Sequence, residues 1–215
     1  YVQKGYEVRV LSRKELKKGA GFDLFCGDLS DSKVDLSNFV DKVDILFHCA
    51  GEIRNESLME ALHVGGTKRL VDAAKGKIGR WVQLSSVGAY GRNRGGIISE
   101  ESIENPFSLY EKTKTQSDMI VTKSGIPYCI LRPSNVFGDS MPNQSLTSLL
   151  RTIKQGLFFF IGKEHAYKVN YVHVEDVVNA MISCSIKAKA LEEVFILSQT
   201  TSVEAVSYTH LTLPT

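Results

Sequence analysis

The sequence lacks the features that mark several large classes of protein. Its 215 residues include 26 basic and 24 acidic side chains, so the net charge is only +2 and no basic stripe for nucleic acid is present. No apolar run approaches the roughly 20 residues of a membrane-spanning helix, and no apolar segment of a signal peptide opens the chain. We therefore expect a cytoplasmic protein that binds neither nucleic acid nor a membrane.

Cysteine is scarce as well, and its spacing carries no motif. The four cysteines are far apart, and no Cys-x-x-Cys pair occurs, so the sequence predicts no metal site. We interpret Cys26, Cys49, Cys129 and Cys184 as small apolar packing groups in a reducing compartment.

Both ends of the chain have an unusual composition. The first residue is Tyr rather than Met, and residues 2–11 are typical of a helix end, a glycine stop and a strand, so we expect material before Tyr1. Residues 205–215 carry no Lys, Arg, Asp or Glu and resemble the in-frame translation of a sequencing-library adapter. We interpret them as an artefact rather than an ordinary tail. The predicted domain is 1–204, open at both ends.

The rest of the sequence alternates between strand and helix patterns. Short apolar runs predict strands, and a 3.6-residue apolar period predicts the helices between them. The predicted strands are 8–11, 22–26, 43–49, 81–84, 127–131, 158–161 and 194–197, and the predicted helices are 58–75, 106–123, 144–155 and 174–186. This order predicts an α/β fold with a doubly wound parallel sheet, Rossmann-like and truncated at both ends.

Small and polar residues follow the predicted strands. Ligands of such sheets bind beyond the carboxyl ends of the strands, and small side chains there let a flat cofactor approach the backbone. The segments at these ends are Ser12–Arg13, Gly27–Leu29, Cys49–Gly51, Ser85–Ser86 and Arg132–Asn135.

One further pair of residues points to proton transfer. Tyr110 and Lys114 are four residues apart in a predicted helix and so share one face. A cation beside a phenol lowers the phenol pKa from about 10, which a base acting on an alcohol at neutral pH requires. The same spacing also occurs on solvated helix faces, so the pair alone leaves both interpretations open.

Taken in order, these segments resemble the extended short-chain dehydrogenase/reductases, and within them the NAD-dependent epimerase/dehydratase family. The resemblance covers nearly all of residues 1–204. It implies that the family's first strand and glycine-rich phosphate turn precede residue 1, that the chain alone is inactive, and that residues 133–170 belong to the substrate-binding region. The segments that carry it are Gly27–Leu29, His48–Gly51, Gly66–Thr67, Ser85–Gly91, Tyr110–Lys114, Leu131–Gly138 and Tyr171–Val177.

The resemblance also implies a role for each matching residue. Tyr110 would be the catalytic acid/base, Lys114 would hold the nicotinamide ribose and lower the tyrosine pKa, and Ser86 would hydrogen-bond the reacting oxygen. Substrate would contact Ser86 and Asn135. The implied cofactor-binding residues are Arg13, Asp28, Leu29, Cys49, Ala50, Gly51, His63, Tyr110, Lys114, Pro133 and Ser134.

The sequence departs from the family pattern in three ways. Val87 and Gly88 stand where sugar-nucleotide dehydratases carry an Asp-Glu pair, so water elimination lacks its proton-transferring groups. His63 replaces the Asn of Asn-x-x-Gly-Thr. Arg13 follows the first strand where NAD-preferring members place an acid, and an arginine suits the 2′-phosphate of NADP.

The expected function is that of an NAD- or NADP-dependent epimerase or 4-keto reductase, acting on a nucleotide sugar as a homodimer. One alternative is a hydroxysteroid or flavonoid-type alcohol dehydrogenase, whose apolar substrate could contact Phe158–Phe160. Another is a non-catalytic NAD(P)-binding regulator, against which the presence of Ser86, Tyr110 and Lys114 argues. Arg92 and Arg94 are interpreted as a solvated loop rather than a phosphate clamp.

Overall fold

The structure is a computed structural model that describes residues 2, 5–15, 21–91, 97–139, 145–157, 168–199 and 203–204. The strands are β1 (Arg9–Ser12), β2 (Asp23–Cys26), β3 (Ile45–His48), β4 (Arg80–Leu84), β5 (Tyr128–Pro133), β6 (Asn135–Phe137), β7 (Lys168–Val169), β8 (Tyr171–His173), β9 (Glu193–Leu197) and β10 (Val203–Glu204). The α-helices are α1 (Ser37–Val40), α2 (Glu56–Met59), α3 (Thr67–Ala74), α4 (Leu109–Thr122), α5 (Ser145–Lys154) and α6 (Val174–Ile186). A π turn spans Glu60–Gly66, and 3-10 turns span Val87–Tyr90 and Ala188–Ala190.

The strands form parallel sheets connected by helices. β3, β4, β5 and β9 are hydrogen-bonded side by side in that order, and all three pairings are parallel. β1 and β2 form a separate parallel pair, as do β6 and β8, whereas β7 and β10 are antiparallel. Parallel neighbours need crossover connections, which helices supply between the strands of the four-stranded sheet. The predicted α/β fold with a parallel sheet is confirmed.

The core lies in two layers, one on each face of the four-stranded sheet. Trp81 of β4 is fully buried in a cluster with Val121 of α4. The next residue, Val82, belongs to a second cluster with Val177 of α6. Successive strand residues point to opposite faces, so β4 contributes to both layers.

α2, the π turn and α3 run as one continuous helix. The Asn55 side chain begins it by accepting a hydrogen bond from Ser57 N. At the end of the π turn, a Cβ on Gly66 would lie 2.8 Å from Leu29 Cγ. Only glycine therefore allows this helix to pack so closely on the segment after β2.

α4 begins with a complete capping box. The Ser108 hydroxyl accepts a hydrogen bond from Glu111 N, and the Glu111 carboxylate accepts one from Ser108 N. The helix thus starts at Leu109, three residues later than the sequence predicted, and Tyr110 is its second residue.

Most predicted elements are confirmed within two or three residues, and α6 has the predicted bounds. The sequence pattern does not reveal α1, β6, β7, β8 and β10, because elements of two to four residues show no clear periodicity. The strand predicted at 158–161, and Arg92 and Arg94, lie outside the described residues. The division into 1–204 and an artefactual tail stays a prediction.

The packing interpretation of the cysteines is correct for two of them and wrong for the other two. Cys129 and Cys184 are buried in one core cluster. Cys26 and Cys49 are exposed, because they lie at the carboxyl ends of β2 and β3, where the sheet meets solvent. Within the described ranges, no helix has both the length and the apolar character needed to cross a membrane.

Candidate active site

The carboxyl ends of β1, β2 and β3 open onto one cavity of about 580 Å³. In the described part of the chain, β1 pairs only with β2 and β3 only with β4, and the cavity extends between the facing edges of β1 and β3. Six of the predicted cofactor residues line it, namely Arg13, Asp28, Leu29, Cys49, Ala50 and Gly51.

Arg13 and Asp28 form an ion pair at this cavity. Arg13 Nη1 lies 4.0 Å from Asp28 Oδ2, and the Arg13 side chain is half exposed. Hydrogen bonds from the Ser30 hydroxyl and the Ser30 backbone lower the pKa of Asp28, and the positive charge of Arg13 lowers it further. The Asp28 carboxylate is therefore ionised at neutral pH.

Ser86, Tyr110 and Lys114 come together beyond the carboxyl end of β4. The Ser86 hydroxyl accepts a hydrogen bond from Gly88 N at 3.1 Å, and the Ser86 side chain lies close enough to the Tyr110 phenol to lower its pKa. Lys114, one turn further along α4, is 4% exposed, and its Nζ donates to Leu84 O at 2.7 Å. The structure thus brings together the three residues that the sequence analysis nominated as catalytic.

The expected lowering of the Tyr110 pKa by Lys114 is wrong in this structure. Burial raises the pKa of Tyr110, the Ser86 side chain lowers it by a smaller amount, and the negative charge of Asp118 raises it. The Lys114 ammonium donates to the Leu84 carbonyl instead. Burial also lowers the pKa of Lys114.

Asp118 is a member of this site that the sequence analysis missed. It is 3% exposed, and its Oδ2 accepts hydrogen bonds from Ser85 Oγ at 2.6 Å and from Arg132 Nη2 at 3.1 Å. Burial raises the pKa of Asp118, while the Ser85 hydrogen bond and the Arg132 charge lower it. The available signal was its spacing, since Asp118 lies one further helical turn beyond Lys114.

Two histidines are buried beside the site. His63 Nε2 lies 2.8 Å from Glu52 N, and His63 Nδ1 lies 2.8 Å from Thr113 Oγ1. Burial, aided by the positive charge of Lys114, lowers the pKa of His63 to about 4 and that of His48 to about 3. Both rings are neutral at neutral pH.

The residues expected at the nicotinamide and the substrate follow β5. Pro133 is buried at the end of that strand, and Ser134 N donates to Leu197 O at 2.8 Å. The Ser134 hydroxyl is buried and has no hydrogen-bond partner among the described residues. Such an atom is costly to leave unpaired, which suits it to a ligand group. Asn135 is exposed, and its Nδ2 donates to Asn170 O at 3.1 Å.

The arrangement of these residues is matched by a known protein family. A model of the NAD-dependent epimerase/dehydratase family matches residues 1–195. The chain belongs to this family. The resemblance inferred from the sequence motifs is therefore confirmed.

Three curated relatives of this chain have names that describe different enzymes. It is 27% identical over 183 residues to short-chain dehydrogenase/reductase family 42E member 1 of Bos taurus, covering 73% of this chain and 46% of the relative. It is 28% identical over 159 residues to 3beta-hydroxysteroid-dehydrogenase/decarboxylase isoform 1 of Arabidopsis thaliana, covering 68% and 36%. It is 23% identical over 208 residues to UDP-glucose 4-epimerase of Vibrio cholerae, covering 90% and 63%. The chain spans less than two thirds of each relative.

Solved structures resemble this family member in fold. MoeE5 in complex with UDP-glucose and NAD matches with a TM-score of 0.79 at 22% identity, over 96% of this chain and 72% of that one. UDP-glucuronic acid 4-epimerase from Bacillus cereus, in complex with UDP-glucuronic acid and NAD, matches with a TM-score of 0.74 at 19% identity, over 88% and 64%. At these identities the likeness shows the fold alone, and it confirms the Rossmann-like architecture.

Because His48 and His63 are buried and neutral, we expect the protein to lose stability in acid. Their folded pKa values, about 3 and about 4, lie below the ordinary 6.5, so their stabilisation is complete above pH 6.5 and is lost as the pH falls toward 4. We expect urea denaturation to show a loss of about 3 kcal/mol from each group over this window. His63→Gln should make the decline shallower. A free energy of unfolding that is constant across the window would contradict this expectation.

Proposed function

We propose that this chain carries the catalytic and cofactor-binding residues of an NAD(P)-dependent epimerase or 4-keto reductase acting on a nucleotide sugar. The observation that carries the proposal is buried Lys114, whose Nζ donates to Leu84 O at the carboxyl end of β4. Lys114 lies one helical turn from Tyr110, the phenol on which the Ser86 side chain acts. These groups lie at the carboxyl edge of a parallel sheet, where ligands of such folds bind. The activity is proposed for the whole protein, since the chain spans only part of its relatives' length.

In the proposed reaction, Tyr110 must first lose its own proton, which its burial disfavours. Tyr110 Oη then takes the proton of a sugar hydroxyl, and Ser86 Oγ hydrogen-bonds the oxygen that becomes the carbonyl. When bound, NAD(P) supplies the acceptor for the hydride that leaves the same carbon. The alcohol thereby loses one proton and one hydride and becomes a 4-keto sugar. An epimerase returns the hydride to the opposite face of the carbonyl carbon and the proton to its oxygen, whereas a reductase performs only this return half.

The residues at the strand ends fit a dinucleotide. Lys114 has three N–H donors; one is bonded to Leu84 O, and the proposed role uses the other two for ribose hydroxyls. The unpaired Ser134 hydroxyl is available to the nicotinamide end. We assign Arg13, Asp28 and Leu29 to the adenosine end, Cys49, Ala50 and Gly51 to the middle, and Lys114, Pro133 and Ser134 to the nicotinamide end. His63, also expected at the cofactor, is 1% exposed, and both its ring nitrogens are bonded within the chain, so we do not assign it a contact with the dinucleotide.

The turn after Ser86 argues against a dehydratase. A Cβ on Gly88 would lie 2.7 Å from Glu111 Cγ. Glu111 is held there by the capping box of α4. An acidic side chain at position 88 would have to displace that cap, so this turn is not built to hold the acid–base pair that water elimination needs.

A hydroxysteroid dehydrogenase is the second candidate. The name of the Arabidopsis thaliana relative, which is 28% identical, supports it. Ile103 and Phe107, which precede α4, are 89% and 60% exposed. Exposed large apolar side chains of this kind suit an apolar partner, and the same Ser86 and Tyr110 would act on a steroid hydroxyl.

A substrate panel tests the proposed function. UDP-glucose, UDP-glucuronic acid and a 3β-hydroxysteroid are each incubated with the protein and NAD or NADP, and the products are separated by chromatography. We expect a C4 epimer or a 4-keto product from a UDP-sugar and none from the steroid. Oxidation of the steroid alone would assign the second candidate, and dinucleotide binding without any turnover would support a regulator.

Arg13 is expected to set the cofactor preference. If its guanidinium leaves Asp28 to meet a 2′-phosphate, the protein should bind NADP about tenfold more tightly than NAD, as one charge-assisted hydrogen bond allows. Arg13→Ala should then erase the difference and leave the Kd for NAD unchanged. Isothermal titration calorimetry measures the Kd of NAD and of NADP for both the wild-type protein and Arg13→Ala. If the wild-type protein bound NAD and NADP equally tightly, Arg13 would have no role in cofactor preference beyond its ion pair with Asp28.

A further inference from the structure

We propose that His63 is a positioning residue that fixes the loop after β3 against the helix carrying Tyr110. His63 is 1% exposed and lies in the middle of the π turn. It faces Glu52 on one side and α4 on the other. The part of this inference that concerns cofactor affinity rests on the proposed function, whereas the hydrogen bonding is tested independently of it.

The hydrogen bonds of His63 select a single tautomer. The backbone N–H of Glu52 can only donate, so Nε2 of His63, 2.8 Å away, accepts and carries no hydrogen. In a neutral ring the hydrogen is then on Nδ1, which donates to Thr113 Oγ1 at 2.8 Å. The Thr113 hydroxyl donates in turn to Leu109 O at 2.9 Å. A directed chain of hydrogen bonds therefore runs from the loop to the first turn of α4.

This chain connects the two halves of the candidate active site. Gly51, beside Glu52, lines the cavity, and a Cβ on it would lie 3.7 Å from His63 Nε2. On the other side, the His63 ring meets the Tyr110 ring edge-on, with centroids 5.7 Å apart and an interplanar angle of 83°. The loop that borders the cavity and the proposed acid/base are thus held by one imidazole.

Histidine is suited to this position by its length. Its two ring nitrogens point in different directions, so one side chain reaches both Glu52 N and Thr113 Oγ1. A π turn often occurs where a helix must present a functional side chain. An asparagine ends at the δ position and would keep the bond to Thr113, whereas a glutamine oxygen reaches the ε position and would keep the bond to Glu52.

The tautomer can be tested without any cofactor. Long-range ¹H–¹⁵N NMR of the histidine side chains at neutral pH is expected to show His63 protonated on Nδ1 and bare on Nε2. Thr113→Val should leave Nε2 bare, because Glu52 N still donates to it. A hydrogen on Nε2 of His63 in the wild-type protein would overturn the proposal.

A matched pair of variants separates the two hydrogen bonds. In His63→Asn, the partly buried Glu52 amide loses its acceptor, so its hydrogen exchange should accelerate and the dinucleotide Kd should rise about tenfold, as the loss of one hydrogen bond allows. In His63→Gln, the amide should stay protected and the Kd should stay near the wild-type value. Thr113→Val should lower kcat while leaving the Kd unchanged, since only the α4 end of the chain is lost.

His48→Asn is the control for losing a buried neutral histidine. His48 bonds Thr67 Oγ1 rather than the loop, so this variant should lower Tm without accelerating exchange at Glu52. Wild-type exchange at Glu52 in His63→Asn would overturn the proposal, as would equal loss of affinity in His63→Asn and His63→Gln. Failure of the wild-type protein to bind dinucleotide would count against the proposed function only, because the tautomer and the exchange rates still decide the role of His63.

Discussion

Replacing Tyr110 with phenylalanine is expected to lower kcat about 10³-fold, within the range for losing a general acid/base, while the dinucleotide Kd stays nearly unchanged. The ring can still pack edge-on against His63, but it has no proton to exchange with the substrate. Steady-state kinetics and calorimetry on the same preparation measure the two quantities.

Tyr90→Phe is the matched control for this prediction. The Tyr90 hydroxyl donates to Glu100 O at 3.3 Å and lies on a different element from Tyr110. Removing it takes away a phenol without touching the proposed proton path, so turnover should persist. If Tyr110→Phe retained most of the wild-type rate, the proposed mechanism would be wrong.

Arg132→Met is expected to lower the free energy of unfolding by about 3–5 kcal/mol, as does the loss of one partner from a buried ion pair. Asp118 is 3% exposed and would keep the Ser85 hydroxyl but lose its only cationic hydrogen-bond partner in the described ranges. Arg132 also pairs with Glu104, so the loss extends to the loop before α4. Urea denaturation followed by circular dichroism measures the change.

The double variant Asp118→Leu with Arg132→Met tests the cause. Replacing both members of a buried pair with apolar side chains removes the uncompensated charge, so much of the lost stability should return. The two sites are in contact, and their effects should not add. A double variant as unstable as the sum of the single variants would show that packing of Arg132, and not its charge, accounts for the loss.

The motifs at the strand ends were predictable because they depend on local rules. A short apolar run followed by small or polar residues marks the end of a buried strand, and this pattern located Asp28 and Gly51 at the cavity. Likewise, the four-residue spacing of Tyr110 and Lys114 in a helix requires that they share a face. Ser86 was placed beside them by the resemblance to the family, and its effect on the pKa of Tyr110 agrees with that placement.

The sequence by itself thus determined the α/β class, the parallel sheet and, through the resemblance of its motifs, the family, because hydrophobic periodicity and strand-end motifs are encoded over short stretches of chain. Only the tertiary structure decided the electrostatics of the site. Arg132 reaches Asp118 across 14 residues, and His63 reaches Thr113 across 50. The pKa of Tyr110 is raised by burial against the local expectation. Burial and long-range pairing depend on which elements pack together, and no local pattern of residues records that.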